Sequence, residues 1–357
     1  MTPKLITRNE AALQLMENVL REGRSLAPEY PLVFNDDATG HIEAIEEGGE
    51  VAATCAWIGR TLLAGEADVP IALVGSVAAA AEHRGKGLGT LVVERAIEAA
   101  TAEGAAFALL WADDSAWYQE RGWIPFGSEN VFVVDDSNAF LLPDADGVRP
   151  MKDGDAAAIH RLYTEHLARV SRTESETRAL LGVPGMTTLV RETDGEVTGY
   201  ACLGRGEDLT GVIHEWGGSP EGVLPIVSQM WADAQGEADG LFFTAPDLEI
   251  DFLAYFRFIR ATGAKGILSL AKLCSAEAAA KLVESMSPNG VSSRATDEDA
   301  IEITGPKGSV VLAGGEILLA LCPPRGDRRV TEVVEKEIGA ALTDLPIQPY
   351  VWGLDSI

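Results

Sequence analysis

An α+β fold in two similar units, followed by a third and smaller α+β unit, is what this 357-residue sequence predicts. Three observations carry that expectation. The chain is too long for one ordinary core and suggests two or three domains. Its apolar runs are mostly of strand length, with few helical patterns between them and a single β-α-β crossing in the first part. The opening order of elements then recurs after a polar, turn-rich linker, Asp144-Ala145-Asp146-Gly147, and the character changes again near Gly263. The expected segments are 1–147, 148–262 and 263–357.

Taken in order, residues 10–21 carry a helical pattern and 28–40 read as a loop rich in Pro, Asn and Asp. Strands at 41–45 and 51–63 are joined by Glu46-Glu47-Gly48-Gly49, where glycine supplies the positive φ that a tight hairpin needs. A strand at 70–80 runs into Arg84-Gly85-Lys86-Gly87-Leu88-Gly89-Thr90, which opens a helix over 91–103 closed by Gly104. A strand at 105–111, a short helical piece around Trp117 and a strand at 130–135 complete the first segment. In the second, a strand at 148–151 and a helix at 155–167 repeat the opening. Gly195-Glu196-Val197, with Cys202 downstream, echoes Gly49-Glu50-Val51 with Cys55. A tandem duplication explains both echoes, and chance similarity between two hairpins is the alternative. The third segment reads as helices near 268–287 and 330–342 with strands near 300–304 and 309–313.

Composition bounds the function classes. Hydrophobic residues at 46% and aromatics at 6% describe a soluble globular chain with material for real cores. The four cysteines, Cys55, Cys202, Cys274 and Cys322, form no CxxC pair, so neither a disulfide framework nor a zinc site is indicated, and they are expected to be reduced and mostly buried. Residues 1–20 lack the apolar stretch of a signal peptide and the longest apolar run, 69–81, is too short for a bilayer, which points to a cytoplasmic protein. A formal net charge of −27 disfavours nucleic acid and anionic membranes and attracts cationic amines. A solvated surface that serves solubility accounts for the same number.

Against that charge, the basic glycine turn is an exception. Glycines let the backbone approach an anion closely, and the unpaired N–H groups of a first helical turn favour negative charge. Arg84 and Lys86 add to it. A nucleotide P-loop is excluded because Gly87, and no Ser or Thr, follows Lys86. A dinucleotide fingerprint fits Gly85 and Gly87, with Asp113 at a plausible distance, but Thr90 stands at the third glycine position and Glu82, His83 and Arg84 separate strand from turn. The remaining pattern, (Arg/Gln)-x-x-Gly-x-(Gly/Ala), is matched as Arg84-x-x-Gly87-x-Gly89. The duplicate's turn, after a strand at 211–216, reads Gly217-Gly218-Ser219-Pro220-Glu221-Gly222, without Arg and with an added Glu. One working anion site is therefore expected, in the first unit.

That pattern, the preceding Ser76-Val77-Ala78-Ala79, and the later Trp117-Tyr118-Gln119-Glu120-Arg121-Gly122-Trp123 with Pro125 together resemble the GNAT superfamily of acetyltransferases. The resemblance implies that Arg84, Gly85, Lys86, Gly87, Leu88, Gly89 and Thr90 hold the pyrophosphate of acetyl-CoA as co-substrate, and that the backbone of Val77, Ala78 and Ala79 hydrogen-bonds the pantetheine arm. Ala79-Ala80-Ala81 stands where many relatives carry Thr, a polar residue and Pro, a departure of little consequence for a contact made by backbone. The duplicated order with a smaller third unit resembles the Eis-like acetyltransferases, which have two GNAT folds and a sterol-carrier-like C-terminal domain.

The activity so implied is transfer of acetyl to a primary amine, on a small cationic molecule or on a protein. A phenol of pKa about 10 can donate to a thiolate as it leaves, and Tyr118 is the candidate acid, a core tyrosine beside Trp117 being the alternative. A backbone N–H of Val77 or Ala78 would meet the oxyanion. The resemblance also implies that the C-terminal carboxylate, at Ile357, enters the first active site, whereas Trp352, Leu354 and Ile357 docking the tail as core is the plain alternative. His41 and His83 are weaker candidates for a base, and Trp57, Trp111 and Trp117 either line an amine pocket or are core. His160, His166 and His214 have no partner at metal-ligand spacing, so no metal is expected. A non-catalytic acyl-CoA-binding sensor or scaffold is the reading from another class, and assembly into a homo-oligomer stays open.

Overall fold

The computed structural model describes residues 4–7, 10–35, 38–342 and 347–357. In chain order the first elements are β1 (Lys4–Thr7), α1 (Glu10–Leu20), α2 (Pro31–Phe34), β2 (His41–Glu47), β3 (Glu50–Ala64), β4 (Ala67–Ala79), α3 (Leu88–Ala102), β5 (Phe107–Leu110), α4 (Ser115–Gln119) and β6 (Ile124–Phe126). Then come β7 (Glu129–Val134), β8 (Val148–Pro150), α5 (Ala156–Thr164), β9 (Ala168–Val170), α6 (Glu174–Leu180), β10 (Thr187–Thr193), β11 (Glu196–Arg205), β12 (Asp208–Gly218), α7 (Pro220–Ala234), β13 (Leu241–Ala245), α8 (Ile250–Phe258) and β14 (Thr262–Gly266). The last are β15 (Ser269–Leu273), α9 (Ala276–Ser285), β16 (Ser292–Asp297), β17 (Ala300–Gly305), β18 (Gly308–Ala313), α10 (Gly315–Leu321) and α11 (Arg329–Ile338).

These elements divide into two compact units, and the division does not follow the three expected segments. The first unit holds the described residues up to Gly127, those from Ile267 to Ile347, and Ser356–Ile357; the second holds Ser128–Gly266 and Gln348–Asp355. In the first, strands run in the order β1-β2-β3-β4-β5-β15-β6; in the second, β8-β10-β11-β12-β13-β7-β14. Both sheets therefore have the same scheme. Five strands in chain order contain one parallel pair, β4 with β5 or β12 with β13, joined through α3 or α7. Two antiparallel strands follow, and in each sheet the inner one is drawn from a distant part of the chain: β15 in the first sheet, β7 in the second.

Strand β15 corrects the expectation of a helix over 268–287. Ser269-Leu270-Ala271-Lys272-Leu273 contains no β-branched or aromatic residue, so local preference favours a helix. Pairing with β5 on one side and β6 on the other overrides it, and the helix begins only at α9, where Ser275 caps the Ala278 N–H. β14, β6, β16 and α10 also have no counterpart among the expected elements. Beyond β15, the three-stranded sheet β16-β17-β18 packs with α9 and α11. The β2–β3 hairpin closes with Gly48 and Gly49 both at positive φ, 71° and 96°, the geometry of a type I′ turn. Helix α3 buries Leu88, Val92, Val93, Ala96, Ile97 and Ala100, one stripe at helical spacing, against Cys55, Trp57, Ala72 and Val74 of β3 and β4.

The second unit is closed by the residues just before the C-terminus. Trp352 lies 4.1 Å from His166 and 5.0 Å from Trp216 between ring centres, and its indole N–H donates to the Ala168 carbonyl. Asp355 accepts from Arg172 Nε and Nη2, both at 2.7 Å, while Glu215 takes Nη1 and Nη2 at 2.9 and 2.7 Å. All three side chains are buried, and Tyr163 both donates to Asp355 and lies under the guanidinium. One cation thus serves two buried carboxylates. Tyr350 donates to Glu129 at 2.9 Å, and burial raises that carboxyl to about 7. His214, against which Gly353 packs, is lowered to about 4 by burial.

Replacing Arg172 by Met leaves two carboxylates buried without their cation, and a loss of about 3–5 kcal/mol is expected at pH 7 from urea unfolding. A second test uses pH alone. Between pH 4.5 and 7 folded Glu129 holds a proton that the unfolded chain has released, so its contribution to stability falls as pH rises. His214 acts in the opposite sense, since the unfolded chain binds its proton first, and the two slopes offset each other. The stability difference between wild type and Glu129→Gln, followed by urea midpoints, should therefore decline by about 3 kcal/mol over that range; a flat difference would refute the assignment.

Candidate functional site

Parallel pairing of β4 with β5 lasts three residues, Ile71 with Phe107 to Leu73 with Leu109. β4 continues for six more, to Ala79, with no partner on that side among the described residues. On its other side, Ser76 and Val77 together face the single residue Cys55, a β-bulge, and Ser76 sits at φ +49°. A bulge leaves main-chain groups out of the ladder, and a positive φ on a residue with a side chain costs about 1 kcal/mol or more. The stretch from Val74 to Ala79 is thus a strand edge with no partner strand on the β5 side, paired only with β3 on the other, and its outward main-chain groups other than the Ala79 carbonyl, which Arg84 takes, can meet a ligand. Val77, Ala78 and Ala79 lie on it.

The edge leads straight into the glycine turn. Gly85 and Gly87 have φ of 77° and 79°, and a Cβ at either would meet nothing within 4 Å, so backbone conformation alone demands glycine there. Gly87 is the residue before α3, and no side chain caps the helix. The first N–H groups of α3, at Leu88, Gly89 and Thr90, are left for an anion. At Gly89 a Cβ would come no nearer than 3.9 Å, to Trp117, which leaves the first turn uncovered. The helix starts three residues earlier than its apolar pattern suggests, because glycines that read as loop form its first turn.

The turn's cations are less free than the sequence implies. Arg84 Nε donates to the Ala79 carbonyl at 3.3 Å. Lys86 Nζ is 2.8 Å from Glu47 Oε2, which is also 2.7 Å from His83 Nδ1. Glu47 is held below the usual carboxylate range by the hydrogen bond from Lys86 and then by that from His83. Thr90 Oγ1 accepts from Arg121 Nε at 2.8 Å, and Arg121 lies 3.9 Å over the Trp117 ring with Nη1 on the Trp117 carbonyl. Arg121 therefore places a third cation at the first turn of α3. Sequence reasoning missed it although it lies inside the quoted tyrosine element; its spacing of four from Trp117, just past the end of a short helix, was the available signal. Glu47 is distant in sequence and gives none.

Tyr118 is carried by α4, whose start is capped by Asp114 accepting from the Trp117 N–H at 3.2 Å. Its ring meets Trp117 and Trp123 edge-on and packs on the cluster containing Cys55, Leu88 and Val92. Burial, then the neighbouring Cys55 and Asp114, push its phenol up to about 12. It is fully protonated at neutral pH. Trp57 is core, with its indole N–H on Glu43 at 3.4 Å and its ring stacked on His41 at 4.2 Å, and His41 faces Glu103 at 3.4 Å. Trp111 and Trp117 are half-buried.

Ile357 lies against β4. A Cβ at Gly75 would overlap the Ile357 carbonyl carbon and oxygen. By strand alternation Gly75 points away from Val74, which packs under α3, so Ile357 sits on the opposite face of the sheet from that helix. A lone glycine in an apolar strand marks such an approach, a signal the motif argument does not use.

The second unit repeats the parting of strands and fills it. β12 and β13 pair only at Val212 with Phe242 and Ile213 with Phe243. At the next residue, His214, the carbonyl accepts the Gly353 N–H at 3.1 Å, and Arg205 Nη1 donates to the Gly353 carbonyl at 2.6 Å. The turn into α7 is closed as well. Pro220 removes one N–H, Ser219 O takes those of Gly222 and Val223, and Cβ atoms at Gly199 or Gly222 would strike backbone. The Glu221 carboxyl, lowered first by Ser219 and then by its own N–H, supplies the anion itself. Among the described residues no helix is long and apolar enough to cross a membrane and no group of three or more side chains is placed to hold a metal. The four cysteines are unpaired, three of them buried.

Residues 13–126 match the family model of the acetyltransferase (GNAT) domain. The whole chain superposes on two GCN5-related N-acetyltransferases: one from Kribbella flavida, at 16% identity, covering 100% of this chain and 99% of that one with a TM-score of 0.66, and one from Anabaena variabilis, at 15% identity, covering 100% of each with a TM-score of 0.67. Eis1 from Mycobacterium abscessus matches at 12% identity over 98% of this chain and 99% of that one, with a TM-score of 0.63. The fold is that of the GCN5-related N-acetyltransferases. No functionally curated protein matches the sequence.

Gly75→Ala is expected to dislodge Ile357 with little effect on the sheet. Carboxypeptidase should then release isoleucine several-fold faster than from wild type, while the urea midpoint moves by less than about 1 kcal/mol. Equal release rates would mean that the close approach at Gly75 is not maintained.

Proposed function

We propose that the first unit is an acyl-CoA-dependent N-acyltransferase, with acetyl-CoA as co-substrate and a primary amine as acceptor. The observation that carries this reading is the open edge of β4, bulged at Ser76 and Val77, running directly into an uncapped helix start with positively charged neighbours. Such an edge suits the amides of a pantetheine arm, and such a turn suits a pyrophosphate. Val77, Ala78 and Ala79 would bind the arm, and residues 84–90 the pyrophosphate. The matched acetyltransferase domain spans this whole region.

In this mechanism a neutral amine attacks the thioester carbonyl, the new oxyanion meets an N–H of Val77 or Ala78, and the sulfur leaves toward Tyr118. The phenol at about 12 is always protonated, but donating fully to a thiolate whose conjugate thiol has a pKa of about 8.5 is uphill. Tyr118 thus serves as general acid mainly by a hydrogen bond that strengthens as charge grows on sulfur, and the proton of the amine restores the balance. Ile357 would present its carboxylate to the acceptor. An ordinary C-terminal carboxyl is about seven pKa units too acidic to deprotonate an alkylammonium outright, so holding the cation and stabilising positive charge on the attacking nitrogen is its larger contribution. The net charge of −27 favours a small cationic acceptor, and a protein amine is the other acceptor class.

The finer architecture follows the same reading. The repeated strand scheme supports two tandem GNAT folds that exchange one strand, β7 for β15, with a break between repeats near 147/148. The blocked turn and filled slot support a second copy that binds no cofactor. The sheet β16-β17-β18 with its helices stands where a sterol-carrier-like domain would be. A non-catalytic acyl-CoA sensor remains the competing reading, on the ground that Lys86 is already paired with Glu47.

The deciding experiment follows thiol release from acetyl-CoA against polyamines, aminoglycosides and lysine peptides, with wild type and Tyr118→Phe. Release with one amine class, reduced about 10²–10⁴-fold in Tyr118→Phe with unchanged acetyl-CoA affinity, is expected. Tight acetyl-CoA binding with no release on any amine would favour the sensor.

A further inference from the structure

One cation of the glycine turn, Lys86, is already engaged by a carboxylate of the same unit. Glu47, the last residue of β2, reaches across from the hairpin so that one oxygen, Oε2, contacts both Lys86 Nζ at 2.8 Å and His83 Nδ1 at 2.7 Å. Lys86 Nζ and His83 Nδ1 are themselves 3.0 Å apart. The two nitrogens meet at that carboxylate oxygen, as they could at a phosphate oxygen in its place. Glu47 and Lys86 remain partly open to solvent, at 29% and 47% side-chain exposure, so a ligand can reach the lysine. In the second unit, the corresponding turn carries its own carboxylate, Glu221, which accepts from Ser219 and from its own N–H and so takes the place of an anionic ligand.

We propose that Glu47 is a built-in competitor for the phosphate of the acyl-CoA, a specificity-determining residue that keeps the affinity of the glycine turn low. This rests on the acyl-CoA reading of the site. When the ligand's phosphate arrives, Lys86 must exchange Glu47 for it or share the two, and the carboxylate repels the phosphate in either case. The effect falls on the nucleotide half of the ligand only. Pantetheine, which has no phosphate, does not sense Glu47. The opposite account is that Glu47 merely ties the hairpin to the turn and holds it in shape, in which case its removal would loosen the turn and weaken binding. The two accounts differ in sign.

The test is calorimetric titration of the full chain with CoA and with pantetheine, for wild type, Glu47→Gln, Glu47→Ala, Lys86→Gln and the Glu47→Gln/Lys86→Gln pair. A unit charge a few ångströms from a phosphate, at the dielectric of water, changes affinity by about fivefold. Both Glu47 variants are expected to bind CoA roughly three- to tenfold more tightly at low salt, with the gain fading as salt screens it, and to leave pantetheine unchanged. In the Lys86→Gln background the gain should be smaller than in wild type without vanishing, since the part owed to the freed lysine is lost and the direct repulsion of the phosphate by the carboxylate is not. Wild type that binds CoA while Glu47→Gln binds it equally or more weakly overturns the competitor role and leaves the site intact. Wild type that binds no CoA overturns the acyl-CoA reading itself.

Discussion

Two parallel strands that pair for only two or three residues and then separate set the terms for everything else in this protein. A separated strand exposes a row of N–H and C=O groups that cannot remain buried without partners. In the second unit those of β12 find them within the chain: Gly353 pairs with His214, Trp352 fills the space between His166 and Trp216, and Asp355 is fixed on Arg172. In the first unit no described strand pairs with that edge of β4 beyond Leu73. One architecture thus yields a closed slot in one unit and an open one in the other, and the difference is made by eight residues, Gln348–Asp355.

The buried cluster that holds those residues explains why the closure is firm. Arg172 donates four hydrogen bonds to two carboxylates with almost no solvent contact, an arrangement that is not obviously better than an apolar one of equal volume but is ruinous to break. Specific geometry is what it contributes, because the guanidinium fork fixes the angle at which Asp355 enters. In the first unit a different constraint acts on Ile357: a side chain at Gly75 would occupy the position of the Ile357 carbonyl, so glycine at that point of β4 is a condition of the close approach.

How much of this the sequence discloses depends on how local each signal is. The hairpin over Gly48 and Gly49, the β-α-β crossing at α3 and the helix of α1 are set by neighbours within a few residues, and the spacing reveals them. Strand β15 is hidden because Leu270, Ala271, Lys272 and Leu273 prefer a helix and only pairing with β5 and β6, residues 107–126, makes a strand of them. That β7 lies in the second sheet and β15 in the first is hidden as well, because each is next in sequence to a strand of the other sheet, β6 and β14. Within the candidate site the glycines of 84–90 and Tyr118 are legible as a motif. Glu47 and the overlap at Gly75 are not, since each depends on a contact that no periodicity encodes, across 36 residues from Glu47 to His83 and across most of the chain from Gly75 to Ile357.

Electrostatics links these features to one another. A chain with 55 acidic and 28 basic residues repels any polyphosphate at long range, so binding at the glycine turn has to be won by local groups. Main-chain N–H donors are the local groups that the overall charge cannot cancel, because they are dipoles fixed by the α3 backbone at the point of contact. Side-chain cations are more easily cancelled: Lys86 is matched by Glu47, and Arg84 and Arg121 are partly spent on the Ala79 and Trp117 carbonyls. The proposed site therefore draws its affinity from backbone shape and keeps its cations in reserve. A co-substrate that must leave as readily as it arrives is better served by that division than by three free cations, since charge that tightens binding of acyl-CoA tightens binding of the product CoA equally.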